Sequence, residues 1–428
     1  MKYHEDAYST FLLGDVREEL RSVATESIHT VVTSPPYWGL RDYGSEPRVW
    51  GGDPECSHVW ADTACRSCGA WCGSLGFEPT PELYVEHLVQ VFRAVRQVLR
   101  KDGTVWLVLG DSYAGSAQGW GKNRQWAGPK QATNRGSLNR PPDTIYQRPP
   151  GYISSLQPNG LKPKDLVGIP WRVALALQAD GWWLRSDIIY SKPNPMPERV
   201  TDRPTTSHEH VFLLSKSKRY FYDADAIRED NSLGSLKRCK PGEAIPKHRK
   251  FGGSTRANPN FLDGQVFQAN GRNARSVWTI PTAPFPGGHF ATFPTALVER
   301  CIKAGTSKHG CCAECGAPWA RVVEKTVHQN SREPAHVPDN SPTKTNSTGW
   351  APTTAPTDRW LPVCKHDVPV VPCTVLDPFV GSGTTALVAK KLGCYCVGID
   401  LSEEYLKMAV ERCRQPSLGA TRRAVKSG

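Results

Sequence analysis

From Cys373 to Asp400 the chain runs strand, glycine loop, helix, strand, an order that few folds accept. Cys373-Thr374-Val375-Leu376-Asp377 is a short apolar strand, and Pro378-Phe379-Val380-Gly381-Ser382-Gly383-Thr384-Thr385 is too rich in proline and glycine to extend it. Residues 386–392 suit a helix, and Cys394-Tyr395-Cys396-Val397-Gly398-Ile399-Asp400 returns to a strand, which closes a βαβ unit with an acid at its end. The chain is therefore expected to be an α/β protein. Asp400 can accept two ribose hydroxyls, so a nucleoside cofactor fits. No Gly-x-Gly-x-x-Gly occurs, and the Asp377-Pro378-Phe379 entry is not the dinucleotide fingerprint.

A second stretch complements this unit. Ile28-His29-Thr30-Val31-Val32 reads as a buried strand, and Thr33-Ser34-Pro35-Pro36-Tyr37-Trp38 ends it, because two prolines cannot continue a ladder. The loop offers the Ser34 hydroxyl, the Pro35 carbonyl that Pro36 holds extended, and the aromatic faces of Tyr37 and Trp38. Together these groups suit a planar amine gripped by edge and by face.

The remaining elements fill in an α/β order. Phe11-Leu12-Leu13-Gly14-Asp15 reads as a strand and turn, and residues 16–23 as a helix. Thr80 caps a helix with Pro81 in its first turn, and Leu83, His87, Val91, Val95, Val98 and Leu99 form its apolar stripe, His87 as a plain helix-face residue. Residues 104–109 make a buried strand that closes in Gly110-Asp111, with Asp111 assigned to structure, and 166–179 an amphipathic helix beginning near Pro170. Residues 182–190 alternate as a strand, with 210–215 and 219–222 as hairpin partners on an antiparallel edge. Lys192-Pro193-Asn194-Pro195-Met196-Pro197 is a stiff loop expected on the same face as Ser34. Residues 276–280 return to a strand, and 293–302 to a helix with Pro294 near its start.

Fourteen cysteines without a secretion signal argue against a disulfide framework. Their spacing points to metal. Cys56-x-His58 and Cys65-x2-Cys68 fall within thirteen residues, and Cys312-x2-Cys315 is followed later by Cys364-x-His366. Each set of four suits tetrahedral zinc, so up to two ions are expected, with Cys72 and Cys311 as rival ligands. The intervening residues 325–360 are rich in Thr, Pro, Asn and Ser and read as a disordered excursion whose ends the metal pins.

The net charge of +12 favours a polyanionic partner, and the charge is concentrated. Residues 112–164 carry Lys122, Arg124, Lys130, Arg135, Arg140, Arg148, Lys162 and Lys164 among Trp120, Trp126, Tyr146 and Tyr152, the composition of a phosphate-tracking loop or of a plain flexible insertion. Residues 225–275 form a second basic region, read as a sequence-recognising module. No run has membrane-spanning length, and the polar start Met1-Lys2-Tyr3-His4-Glu5-Asp6 is no signal peptide, so a cytoplasmic protein is expected, prokaryotic or phage-encoded.

The pair Thr33-Ser34-Pro35-Pro36-Tyr37 and Asp377-Pro378-Phe379-Val380-Gly381-Ser382-Gly383-Thr384-Thr385 resembles the amino-methylating DNA methyltransferases, in the permuted class whose catalytic loop precedes the cofactor loop. The resemblance covers most of residues 10–224 and 276–413. It implies a doubly wound, mostly parallel seven-stranded sheet, S-adenosylmethionine as methyl donor, and duplex DNA as partner, with the target base flipped out. In this frame residues 1–224 are the catalytic half, with a zinc element at 56–72; 225–275 the target-recognition region; 276–413 the cofactor half, with a zinc element at 311–366; and 414–428 a basic tail. It implies Ser34, Pro35, Pro36, Tyr37 and Trp38 at the amine. Asp377, Phe379, Gly381, Gly383, Thr384 and Asp400 would lie at the cofactor, with Phe293 and Pro294 near its methionine end and Asp15 a further candidate. Ser34, where adenine-N6 enzymes more often carry Asp, favours cytosine N4; adenine N6 stays the alternative, as do RNA or protein methylation and a non-enzymatic zinc-containing nucleic-acid binder. No obligate protein partner is evident, no nuclease motif is visible, and a cognate restriction endonuclease is left open.

Overall fold

A computed structural model of the chain describes residues 1–39, 46–114, 160–162, 164–231, 271–282, 293–326 and 353–414. Most of the basic stretches expected at 112–164 and 225–275, the middle of 325–360 and the tail beyond 414 lie outside these residues. No helix among the described residues is long and apolar enough to cross a membrane.

The main sheet contains β1 (Lys2–Glu5), β2 (Ser9–Leu13), β3 (Ile28–Thr33), β4 (Leu99–Leu109), β5 (Trp183–Ser191), β6 (His208–Ser215), β7 (Val277–Thr279), β8 (Thr374–Asp377) and β9 (Tyr395–Asp400). Their order is β1-β2-β9-β8-β3-β4-β6-β5-β7. The five strands from β2 to β4 are mutually parallel. β6 is antiparallel to both β4 and β5, which gives the expected antiparallel side. Nine strands stand where seven were expected, and the sheet extends to short strands at both edges. β1 turns back onto β2 because the Asp6 carboxylate accepts the amides of Tyr8 and Ser9 at 2.8 and 2.7 Å, and three-residue β7 adds to β5 in parallel.

Helices cover both faces. α1 (Val16–Glu19), α2 (Pro81–Val98) and α3 (Ile169–Ala179) pack on one, and α4 (Thr295–Gly305), α5 (Thr384–Lys391) and α6 (Glu403–Arg414) on the other. β4 feeds both layers by its period of two: Val105, Leu107 and Leu109 face α2 and α3, while Trp106 and Val108 face the second core. Thr80 caps α2 as expected, its hydroxyl accepting the Leu83 amide at 3.2 Å. β4 begins at Leu99, directly after α2, rather than at residue 104, because Leu99 already pairs with Ile28. Residues 219–222 are not a strand: both edges of β6 are already taken by β4 and β5. The ends of the 325–360 stretch are ordered, since Ala320–Thr326 and Thr353–Leu361 pair antiparallel.

One pairing positions everything that follows. β8, from the C-terminal unit, lies beside β3, from the N-terminal half, with Val375 opposite Thr30 and Leu376 opposite Val31. The chain leaves β3 toward β4 and leaves β8 toward β9, so the strand order reverses between them and a crevice opens at their carboxyl ends.

Candidate active site

The two loops predicted from sequence meet at this crevice. Asp377 ends β8, is buried, and accepts from the Thr33 hydroxyl at 2.7 Å, the Thr385 hydroxyl at 2.6 Å and the Phe379 amide at 3.1 Å. One carboxylate thus ties the end of β3, the glycine loop and the start of α5 together. Burial pushes Asp377 up to about 6, against the pull of the two hydroxyls, and the charge of Asp400 adds to the rise. Its oxygens are spent inside the protein, so Asp377 is a strut between the loops rather than an open ligand.

Asp400, at the end of β9, is placed differently. It accepts the Gly381 amide at 2.9 Å and the Ser402 amide at 2.8 Å and is half-buried at the lip of the crevice, where burial pushes it up to about 6 as well. Gly381 and Gly383 have φ of 50° and 79°, and a Cβ on Gly383 would stand 2.8 Å from the Ala409 Cα, so only glycine fits there. Arg412, which sequence reasoning missed, donates to the Ser382 carbonyl at 2.7 Å and to the Thr384 hydroxyl at 3.1 Å. Thr384 is therefore held toward α6. Phe379 packs partly buried against the core, and Phe293 and Pro294 precede α4, whose first turn folds onto the Pro294 carbonyl. Asp15 caps α1 and is engaged by Arg17 at 2.6 Å, which fits its turn-forming reading. Asp111 likewise accepts the amides of Ser112, Gly168 and Ile169, and so ties β4 to the start of α3.

The Ser34 loop is held from three sides. The Ser34 hydroxyl donates to the Tyr37 oxygen at 3.3 Å, and the Tyr37 hydroxyl donates to Glu209 on β6 at 3.1 Å. Lys192 pairs with the same carboxylate, so the 192–197 loop does start on this face. The Pro36 carbonyl accepts the Tyr84 hydroxyl at 2.7 Å. Trp38 corrects an expectation: it is 1% exposed and donates its indole N–H to the Glu78 carbonyl at 2.9 Å, so it is core and offers no face to a substrate.

Behind this loop lies a network that composition does not reveal. His87, expected to be a plain helix-face residue, is buried between Trp50 and Trp71, with ring centroids 4.8 and 5.4 Å away, and its Nδ1 lies 2.9 Å from a Glu78 oxygen. The other Glu78 oxygen accepts the Gly76 amide at 2.8 Å, and the Gly76 carbonyl accepts from Gly39 just beyond the Ser34 loop.

Both predicted metal sets converge. In Cys56, His58, Cys65 and Cys68, and in Cys312, Cys315, Cys364 and His366, the ligand atoms lie within 4.8 Å of one another. The Cys56 and Cys65 sulfurs are 3.9 Å apart, and the Cys68–His58 and Cys312–His366 approaches are 3.4 and 3.6 Å. A tetrahedron with Zn–S near 2.3 Å has edges of about 3.8 Å, so both donor sets fit zinc. Burial raises the Cys65 thiol, but the Cys68 amide and the His58 ring outweigh it and bring Cys65 down to about 5; the Cys315 amide chiefly brings Cys312 down to about 6. Neither Cys72 nor Cys311 belongs to these sets. Cys311 instead groups with His29 and Cys373, but Thr374 donates to His29 Nδ1 at 3.0 Å and Nε2 lies 2.8 Å from the Gly316 carbonyl, so the ring has no nitrogen left for a metal.

Comparison with known proteins agrees with this geometry. A DNA methylase family model, that of the N6/N4 enzymes, matches residues 28–313 and 373–411, the segments that bear both loops. The type II methyltransferase M.SmaI of Serratia marcescens is 35% identical over 401 residues, 94% of this chain and 89% of that one. M.Cfr9I of Citrobacter freundii, also a type II methyltransferase, is 32% identical over 404 residues, 94% and 87% of the two chains. A solved PvuII DNA methyltransferase, cytosine-N4-specific, aligns over 98% of this chain and 90% of its own at 14% identity and a TM-score of 0.47. With the family's matched segments spanning the crevice and its two loops, the chain belongs to the N6/N4 DNA methylases.

Proposed function

We propose that the protein is a site-specific type II methyltransferase that moves the methyl group of S-adenosylmethionine to the exocyclic N4 of cytosine in duplex DNA, in the permuted arrangement with the Ser34 loop first. The observation that carries this reading is the meeting of the Ser34 and Gly381–Gly383 loops at the carboxyl ends of adjacent strands, joined by Thr33, Asp377 and Thr385. S-adenosylmethionine, when bound, supplies an electrophilic methyl group. The Asp400 carboxylate holds the ribose, Gly381 and Gly383 keep the loop thin enough for close approach, and Phe379, Phe293 and Pro294 wall the pocket.

The target cytosine must leave the stack to reach this crevice, and the Tyr37 ring receives its face. Its amine is a poor nucleophile because the nitrogen lone pair is delocalised into the ring. The Ser34 oxygen and the Pro35 carbonyl accept its two N–H bonds, which draws the nitrogen toward a tetrahedral, more nucleophilic shape. The Pro36 carbonyl is committed to Tyr84, which fixes the loop. A neutral Ser34 hydroxyl in place of a carboxylate favours cytosine over adenine. Around this centre, residues 225–275 form the target-recognition region, 112–164 add phosphate contacts, and one zinc ion sits in each Cys3His set. The protein works in a prokaryotic or phage-infected cytoplasm, where a cognate endonuclease would be its counterpart.

Transfer of tritium from labelled S-adenosylmethionine to duplex DNA, RNA and protein, followed by nucleoside analysis, tests the reading. Label in N4-methylcytosine is expected; N6-methyladenine would reassign the base, and label on RNA or protein alone would overturn the proposal. Metal analysis of unchelated protein is expected to find two zinc ions per chain.

A further inference from the structure

The Ser34–Tyr37–Glu209–Lys192 chain does more than hold a loop. A carboxylate offers only acceptors and an ammonium only donors, so Glu209, paired with Lys192, forces the Tyr37 hydroxyl to point its hydrogen at Glu209 Oε2. The Tyr37 oxygen then receives the Ser34 hydrogen, as the 3.3 Å contact has it. Both hydroxyl hydrogens then run toward Glu209, which leaves the Ser34 oxygen its lone pairs for a further contact. Without a charged terminus either hydroxyl can reverse, and Ser34 can then aim its hydrogen at the amine it has to accept from.

The surroundings keep the chain in this state. Gly110 lies against the Tyr37 ring, where a Cβ would stand 2.6 Å from Cε2, so the phenol has little room to swing. Tyr190, directly opposite Glu209 across β5 and β6, is buried, and burial together with the Glu209 charge pushes its phenol up to about 12, so it stays neutral beside the carboxylate. Glu209 and Lys192 are each only about one-fifth exposed, which shields their attraction from solvent.

From this geometry we infer that Glu209, supported by Lys192, is a positioning residue that sets the hydrogen-bond direction of Tyr37 and Ser34 and so presents the Ser34 lone pairs to the target amine. The inference rests on the amine-methylating reading of the site. It gives Tyr37 a second duty through its hydroxyl, separate from the face of its ring, and it extends the site to a residue 172 positions away in sequence.

A double-mutant cycle separates this role from simple packing. Tyr37→Phe keeps the ring and removes the hydroxyl; Glu209→Gln keeps the shape and removes the charge, and its amide can accept or donate. Single-turnover methylation of duplex DNA is expected to fall roughly tenfold to a hundredfold in each, less than the roughly hundredfold to thousandfold lost with a group that touches the reacting atoms, because both changes act one step behind Ser34. Dissociation constants for S-adenosylmethionine and DNA, and the melting temperature, should stay near wild type. The double variant should be no slower than the slower single, because both changes cut the same chain. Wild-type rates in Tyr37→Phe, or additive losses in the double variant, would overturn the inference. If Glu209→Gln does not fold, Tyr37→Phe alone still decides, since an unimpaired phenylalanine enzyme leaves Glu209 nothing to orient. In the same assay, a wild-type enzyme that makes N4-methylcytosine while these variants are unaffected sinks only the positioning role; a wild-type enzyme that methylates no amino group removes the functional reading and this inference with it.

Discussion

The two Cys3His sets are built alike and set at opposite ends of the same strand. In each, a Cys-x2-Cys-Gly turn folds back so that the glycine amide reaches the first cysteine's carbonyl at 2.9 Å, Gly69 to Cys65 and Gly316 to Cys312. Both glycines have positive φ, 73° and 66°, and both first cysteines bond forward, Cys65 to Ala70 and Cys312 to Ala317. The surroundings differ. The first set belongs to a small separate sheet of Arg48–Trp50, Trp60–Ala61, Ala64–Cys65 and Trp71–Gly73, whose Trp50 and Trp71 enclose His87, and through Glu78 that sandwich reaches Trp38, Gly76 and the loop bearing Ser34. The second set meets the amino ends of the parallel strands: Arg100 donates to the Cys315 carbonyl at 2.7 Å, and His29 at the start of β3 joins Gly316 to Thr374. At a rise of about 3.3 Å per residue, His29 and Ser34 stand roughly 17 Å apart along β3. The same turn therefore braces the Ser34 loop at one end and closes the sheet at the other.

Breaking the first knuckle should produce the largest effect. Cys65→Ser is expected to lower the single-turnover rate about a hundredfold or more, because a displacement of the order of 1 Å in a catalytic loop is enough for that. S-adenosylmethionine should still bind within a few-fold of wild type, since the Gly381–Gly383 loop is held from Asp400 and Arg412, on β9 and α6. A Cys65→Ser enzyme with full turnover, measured at saturating cofactor, would cut the proposed link.

The link itself runs through His87. Its replacement by alanine leaves a space between two tryptophans and takes the ring's hydrogen bond from one Glu78 oxygen, so a loss of about 3–5 kcal/mol in unfolding free energy is expected. Turnover should drop about tenfold in the folded fraction, as Glu78 loses its fixed position behind Trp38 and Gly76. Chemical denaturation and rate measurements on the same samples separate the two losses; an unchanged rate would make the sandwich purely structural.

The carboxyl end of β8 adds a pH dependence of its own. Asp377 has a folded value of about 6 against an ordinary carboxylate value near 4, so the native state holds the proton more tightly than the unfolded chain. Stability is therefore expected to decline as pH rises from about 4 to about 6, by about 2–3 kcal/mol for this group, and to be regained on acidification over the same window. Comparing urea midpoints of wild type and Asp377→Asn across pH 4.5 to 7.5 isolates the term, which the asparagine variant should lack. An identical pH slope in both proteins would remove Asp377 as its source.

How much of this was legible beforehand follows from how local each signal is. The prolines of the Ser34 loop, the glycines at 381 and 383, the Thr80 cap and the cysteine spacings act within a few residues, so sequence alone places them. Glu209, Glu78 and Arg412 were missed, and Lys192 was placed only as the start of a loop on this face, because their roles come from pairing: only when β6 lies beside β4 does Glu209 meet Tyr37. Trp38 and His87 failed in opposite directions for the same reason. An aromatic after Pro-Pro-Tyr looks available and a histidine on a helix stripe looks idle, yet tertiary packing turns the first into core and wires the second to Glu78.

The smallest effect on catalysis should come from the second knuckle, and it bears hardest on the comparison. Cys312→Ser removes one member of a set whose turn meets Arg100 and His29, at the amino ends of β4 and β3 and away from the crevice. The melting temperature should fall, because β8 loses the closure that runs from Gly316 through His29 to Thr374. Below the melt, the turnover of the folded enzyme should stay within about threefold of wild type, since a rigid strand of six residues separates the change from Ser34. Rates measured at 15 °C with the folded fraction set by denaturation distinguish the outcomes. If Cys312→Ser proves as slow as Cys65→Ser, the two ends of the sheet are not independent, and β3 transmits the state of the second knuckle to the loop it carries.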